Sequence, residues 1–234
     1  IAVSKIRGPK GTNVTLKVVR DKSQELKFTI TREDIKIPSV KSQVLEGNIG
    51  YIQITHFGDD SASLAEEAAQ NFKQQGVKGV ILDLRGNPGG RVDAAVEVSS
   101  LWLPKDKIVL QEKRGNTVVE SDTATGNDVL KGVPTIVLIN EGSASASEIV
   151  AGALHDNGVA KMYGVKSFGK GSVQKLQDLP GGSELKVTIA RWYRPNGENI
   201  DKKGITPDKI IEMTDDDYKN SRDPQKDAAL EALK

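Results

Sequence analysis

Three serines, Ser143, Ser145 and Ser147, alternate through the stretch 142–148, and Lys170 follows Ser145 by 25 residues with a glycine on either side. A hydroxyl and an amine are a nucleophile and a base. The hydroxyl attacks a carbonyl only once a base takes its proton. Lysine can be that base only when neutral, so its ordinary pKa of about 10.4 has to be lowered, chiefly by desolvation. Gly169 and Gly171 let backbone pack closely and leave the amine free to reach inward. The reaction that suits this pair is acyl transfer, which also needs N–H donors for an oxyanion. Ala146, next to Ser145, offers one. The turn 85–91 offers a second from Gly89 or Gly90, ahead of Gly86, since glycine lets backbone approach a substrate.

Each of these residues has a plainer reading. Ser145-x-x-Glu148 ahead of an apolar run is a capping box, found on many non-catalytic helices. Ser143 and Ser147 rival Ser145 as the nucleophile. The spacing Gly164 to Gly169-Lys170 approaches a phosphate-binding loop, but Gly171 stands where that loop needs a hydroxyl, and a strand-like segment follows where it needs a helix. A histidine triad could draw on His56, with Asp59 or Asp60 nearby. His155 would lie about 15 Å from Ser145 along a shared helix. With no His pair, no HExxH spacing and no cysteine, neither a metal nor another cofactor is expected.

These residues need elements to position them. The β-branched run Thr135–Asn140 reads as a buried strand, and Ile149–Leu154 as the buried face of a helix, which puts the serines on a strand-to-helix turn. Upstream, Gly50–Thr55 reads as a strand. A helix follows with Leu64, Ala68 and Phe72 every fourth residue, Asp59, Asp60 or Ser61 as its cap, and Gly76 closing it. Val80–Leu84 is a second buried strand that empties into the glycine-rich turn, and Val92–Leu103 reads as a helix ended by Pro104. This alternation is βαβ construction, so the fold class is α/β. Ile108–Leu110 is expected to pair with Thr117–Val119, and Asp122–Lys131 to be a loop. Val159–Tyr163, Val173–Leu179 and Leu185–Tyr193 read as strands, the last two joined by a Pro180–Gly182 turn.

At the start, Ile1–Arg7 reads as the end of a helix. Val14, Leu16 and Val18 alternate with polar residues, as do Leu26, Phe28 and Ile30, which predicts a hairpin. Ile35–Val44 reads as a crossing segment broken by Pro38. The charged tail 215–234 carries a helical pattern at Asp227–Leu233.

Composition narrows the class. With 37% hydrophobic and 28% charged residues, the chain is an ordinary globular one with enough length for a core. A net charge of +1 with both signs interspersed gives no reason to expect nucleic acid as a partner. No apolar run approaches membrane-spanning length. Ile1 reads as an interior residue, so the chain is expected to be a fragment or mature form with its targeting signal out of view.

The chain resembles the carboxy-terminal processing (tail-specific) peptidases, the S41 serine proteases. The residues that carry the likeness are Ser145-Ala-Ser-Glu148, Phe168-Gly-Lys-Gly-Ser-Val-Gln174, Asp83-Leu-Arg-Gly-Asn-Pro-Gly-Gly90, and Arg194-Pro-Asn-Gly197 with Gly204-Ile-Thr-Pro-Asp208. The likeness spans roughly residues 35 to 212. It implies a serine endopeptidase cleaving protein substrates near their C-terminus, with Ser145 as nucleophile, Lys170 as base and Gln174 orienting the lysine. It further implies a crotonase- and ClpP-like core at 35–214, preceded at 1–34 by the C-terminal remnant of a PDZ-like domain and followed by the tail at 215–234. Partners would be proteins or peptides with free C-terminal tails, and the location extracytoplasmic, in the bacterial periplasm or at the outer face of the cell membrane. The resemblance leaves room for a homo-oligomer and for a membrane anchor outside the chain. A catalytically silent peptide-binding scaffold is the alternative. Because few side chains pin the Gly-flanked loop, the lysine is expected to stand too far from Ser145 to take its proton until a peptide tail binds.

Overall fold

The computed structural model describes residues 2–21, 23–34, 37–179 and 183–234; for Ala2, Gln174, Lys175, Leu176, Asp178 and Lys186 it describes the backbone alone. The chain divides into two compact units, Ile1–Ile37 and Pro38–Lys234. The boundary falls at 37/38 rather than 34/35, and residues 215–234 belong to the second unit instead of forming a separate tail.

The first unit holds helix α1 (Ala2–Ile6) and the strands β1 (Asn13–Arg20) and β2 (Gln24–Thr31). The expected hairpin forms, antiparallel, with Val14 opposite Ile30, Leu16 opposite Phe28 and Val18 opposite Leu26. Two strands cannot enclose a core. Val18, Phe28 and Ile30 accordingly remain exposed.

In the second unit the chain runs β3 (Val40–Leu45), β4 (Ile49–Ile54), α2 (Ser61–Gln75), β5 (Gly79–Asp83) and α3 (Val92–Ser99). It continues through β6 (Ile108–Arg114), β7 (Thr117–Thr123), β8 (Thr135–Ile139), α4 (Ala146–Asp156) and β9 (Ala160–Gly164). The remainder is β10 (Ser172–Leu179), β11 (Ser183–Tyr193), β12 (Lys209–Ile210), α5 (Asp215–Lys219) and α6 (Pro224–Leu233).

Six strands form one sheet in the order β12-β9-β8-β5-β4-β3. All neighbours are parallel except the β3–β4 pair. The period of two along each strand sorts the apolar runs into two cores. Ile52, Ile54, Val80, Leu82, Val137 and Ile139 face one side, where Phe72 of α2, Val98 of α3 and Val150 of α4 cover them. Ile49, Ile81, Ile136 and Leu138 face the other, where α6 supplies Ala229 and Leu233. The remaining strands form a second sheet, β10-β11-β6-β7.

Several elements differ from the sequence expectation. Helix α3 ends at Ser99, short of Leu103. The Ser99 and Ser100 hydroxyls donate to the carbonyls of Ala95 and Val96 at 2.8 and 2.7 Å, and the chain tightens into turns over the buried Leu101–Leu103. Asp60 occupies the cap position of α2 without a side-chain cap bond; its carboxylate accepts from the Ser39 N–H instead. The β6–β7 hairpin is longer than expected, closing at Arg114 opposite Thr117, so Ile108 and Leu110 face Thr123 and Asp122. Residues Val40–Val44 of the expected crossing segment are strand, while Ile35, Lys36 and the 180–182 turn lie outside the described residues. Helix α6 begins at Pro224, three residues before the expected start, because Asp223 caps it by accepting from Lys226 N–H at 3.0 Å.

Candidate active site

The parallel strands β5 and β8 end side by side, and the turns that follow them interlock. Asn87, fully buried, is the pin. Its amide nitrogen donates to the Ile54 carbonyl, its Oδ1 accepts from Gly89 N–H at 2.9 Å, and its carbonyl accepts from Ala144 N–H and from the Ser147 hydroxyl. The Asn140 Oδ1 reaches across to take the Gly86 and Gly142 N–H groups. This lattice brings Gly89 hard against Ser145: a Cβ on that glycine would stand 2.7 Å from the Cβ of Ser145. One on Gly90 would stand 2.1 Å from the Phe57 carbonyl oxygen. Both glycines have positive φ, so no other residue type fits the turn.

The three serines are no longer equivalent. Ser143 and Ser147 are fully buried, and their hydroxyls donate to the carbonyls of Leu84 and Asn87 at 2.8 and 2.9 Å. Ser145 is only half-buried, at φ 56° and ψ −116°, a conformation costly for a residue with a Cβ. Of the expected capping box, one half closes: the Ser145 N–H donates to Glu148 Oε2 at 2.9 Å. The other half, Glu148 N–H toward the Ser145 hydroxyl, has the arrangement of the box without closing a side-chain cap bond. Beside this hydroxyl, the N–H groups of Ala146 and Gly90 donate to nothing among the described residues, whereas the Gly89 N–H is taken by Asn87.

Lys170 lies on the loop between β9 and β10, and its side chain is exposed. Among the described residues no hydrogen bond joins its amine to the Ser145 hydroxyl. The loop itself is not loosely held, contrary to the sequence expectation. Phe168 N–H donates to the Ser143 carbonyl, Lys202 N–H to the Gly169 carbonyl and Trp192 Nε1 to the Lys170 carbonyl. The side chain of Gln174 lies outside the described residues; its backbone pairs with Thr188 in β10–β11.

Sequence reasoning passed over Glu148 except as a cap. It is fully buried, and besides Ser145 it accepts from the Ser167 hydroxyl at 2.5 Å, from Gly169 N–H at 2.7 Å and from Lys170 N–H at 2.9 Å. It also passed over Arg85, which reaches Asp83 and then Asp223 and Gln225 at the start of α6. Burial pushes the Asp223 carboxyl up, yet Arg85 and the Lys226 N–H outweigh it and hold the group below its ordinary value. Only the tertiary structure shows these partners.

The remaining motif residues meet at the far end of α4. Arg194 pairs with both oxygens of Asp156 and touches Glu198 and His155, and Asp208 accepts from Met162 N–H while meeting His155 Nε2 at 3.1 Å. A cavity of about 510 Å³ lies there, lined by His155, Tyr163, Asp208 and Leu233 among others, and no candidate catalytic residue borders it. His155 is thus committed elsewhere, and His56 pairs with its neighbour Thr55, so neither histidine bonds to Ser145. A phosphate loop is also unsupported, because strand β10 and no helix follows Lys170. Among the described residues no group of acidic or histidine side chains could hold a metal, and no helix is long and apolar enough to cross a membrane.

Residues 48–211 match the model of peptidase family S41. The carboxy-terminal processing protease CtpA of Bacillus subtilis is 41% identical over 215 residues, which is 92% of this chain and 46% of that protein. A carboxyl-terminal-processing protease of Synechocystis is 38% identical over 240 residues, 99% of this chain and 56% of the relative. The chain thus spans about half the length of the curated relatives it matches. Among solved structures, the photosystem II D1 C-terminal processing protease superposes with a TM-score of 0.71 at 30% identity, covering 88% of this chain and 57% of that one.

Proposed function

The chain belongs to peptidase family S41, and on that premise we propose that it is a serine endopeptidase of Ser-Lys type that cleaves protein substrates near their carboxy terminus. The observation that carries this is the asymmetry of the three serines. Two have hydroxyls tied to buried carbonyls, while among the described residues Ser145 donates its own to no carbonyl, on strained backbone, beside two N–H groups that donate to nothing among the described residues. Strain of this kind at a strand-to-helix turn suits an exposed nucleophile.

In this reading Lys170 takes the proton from the Ser145 Oγ as Oγ bonds to the scissile carbonyl carbon. The oxyanion lies against the N–H groups of Ala146 and Gly90, with Gly89 serving to let the turn approach. Collapse breaks the C–N bond, and the leaving amine takes its proton from Lys170. Water, deprotonated by the same lysine, then hydrolyses the ester on Ser145. Gln174 is assigned the role of orienting the amine, where an uncharged amide would not favour the ammonium form as a carboxylate would.

Substrates with free C-terminal tails follow from what the relatives are named for, the hairpin unit is assigned as the remnant of a PDZ-like domain, and the location as extracytoplasmic. A full-length gene product with neither signal peptide nor membrane anchor would count against that location. The catalytic test is a fluorophosphonate serine label. The chain should take it up and Ser145→Ala should not; equal labelling of the two would leave the silent scaffold as the better reading.

A further inference from the structure

We propose that Glu148 and Ser167 are positioning residues: together they form a strut that fixes the backbone of Lys170 to the turn that carries Ser145. The dyad is then completed by rotation of the lysine side chain and not by movement of its loop. This rests on the assignment of Ser145 and Lys170 above.

One atom joins the two segments. Glu148 Oε2 accepts from Ser145 N–H and from Lys170 N–H, each at 2.9 Å. Two nitrogens bonded to one oxygen at that length stand no more than about 6 Å apart. The four-carbon stem of lysine spans such a gap. Oε1 holds the rest of the loop, accepting from Ser167 Oγ and Gly169 N–H, and Ser167 Oγ in turn accepts from Ile205 N–H at 2.7 Å. Four donors occupy the two carboxylate oxygens, all of them from the segments it joins. Glu148 therefore serves catalysis through the residues it holds.

A glutamine has the same shape but one acceptor oxygen and an NH₂ group. Turned one way, that NH₂ would face the N–H groups of Ser145 and Lys170; turned the other, it would face the Gly169 N–H, with the Ser167 hydroxyl alone able to reverse and accept, so Glu148→Gln should free part of the strut either way. Amide hydrogen exchange reads this without any need for activity. In the unmodified chain, Gly169 and Lys170 should be protected about 100-fold or more, and Glu148→Gln should lower that by at least about tenfold while Val137 and Leu138 in β8 stay protected. On a tail peptide, Glu148→Gln should lower kcat about 100-fold and leave KM within about threefold, as expected when a catalytic group is misplaced by about an ångström. Should Glu148→Gln fail to fold, Ser167→Ala removes one of the four bonds to Glu148, together with the Ile205 N–H bond behind it, and should give a smaller loss at Gly169.

Unprotected Gly169 and Lys170 amides in the unmodified chain, or exchange rates that Glu148→Gln and Ser167→Ala leave unchanged, would overturn the strut. So would an active chain in which Glu148→Gln keeps kcat within about threefold. A chain that neither cleaves peptide nor labels at Ser145 would sink the peptidase assignment, and the exchange rates would still decide the strut.

Discussion

Helix α4 carries a buried carboxylate at each end, and the two are satisfied in opposite ways. At the front, among the described residues, Glu148 accepts only from backbone N–H groups and one hydroxyl. At the back, Asp156 is gripped by the Arg194 guanidinium, with His155 and Asn196 beside it. Both arrangements meet the demand that a buried charge be fully bonded. They differ in what they leave over. A salt bridge from Glu148 to Lys170 would favour the ammonium, the form that cannot act as a base. Neutral donors hold the loop just as firmly and keep the amine out of the bond. The back end has no chemistry to protect, so ordinary ion pairing serves there.

Changes at the front should therefore cost turnover, and changes at the back should cost stability. The largest effect is expected at the lysine: Lys170→Ala and Lys170→Arg should each lower kcat about 10⁴-fold with the melting temperature little changed, since guanidinium stays protonated. Substantial cleavage by Lys170→Arg would remove the base from the front end altogether. Arg194→Leu should do the reverse. It strips the buried Asp156 of its guanidinium and leaves it only His155 and Asn196, at a cost of about 3 kcal/mol in denaturant unfolding, while the folded protein keeps its kcat. A large fall in kcat there would show that the two ends are coupled along the helix.

The smallest effect is a pH dependence at the back. Burial pushes the Asp208 carboxyl up, but the Met162 N–H and His155 outweigh it, and its value lies below the ordinary one. A carboxyl depressed in the folded state stabilises above the unfolded value of about 3.9 and loses that contribution as pH falls through the folded value. Because the Asp208 side chain is more than a third exposed, solvent screens these contacts, and Asp208→Asn should cost less than about 1 kcal/mol at neutral pH. The gap should narrow as pH falls through the folded value, measured by urea unfolding at neutral and at acidic pH. A gap that stayed constant would mean that the carboxyl's charge contributes nothing.

The sheet was legible because its evidence is local. The β-branched runs at 80–84 and 135–140 announce buried strands, and their period of two separates the two cores without further information. The site was legible only in part. On its own residues Ser145 read first as a cap, and only the family resemblance chose it over Ser143 and Ser147, since what separates the three is where their hydroxyls go, and the carbonyls of Leu84 and Asn87 arrive from a distant strand end. The choice between Gly89 and Gly90 could not be made from residue types, because it turns on the side chain of Asn87 taking one N–H and leaving the other. Glu148 was hidden for the same reason, its partners coming from a loop about 20 residues later. The loop around Lys170 looked loose because glycines contribute no side chains, but its anchors are backbone groups, which composition does not reveal.

The face of the sheet that bears Ile81, Ile136 and Leu138 is covered by α6, which follows every strand in chain order. During synthesis this face therefore emerges complete and stays open to water until the helix has been made. A growing chain halted in that interval presents a broad apolar surface to chaperones and to its neighbours on the same message. The Arg85 grip on Asp223 and Gln225 also forms only then, so the turn beside Ser145 gains its last anchor as the sheet is sealed. The order of translation itself delays a finished candidate site until the chain can bury the surface beneath it.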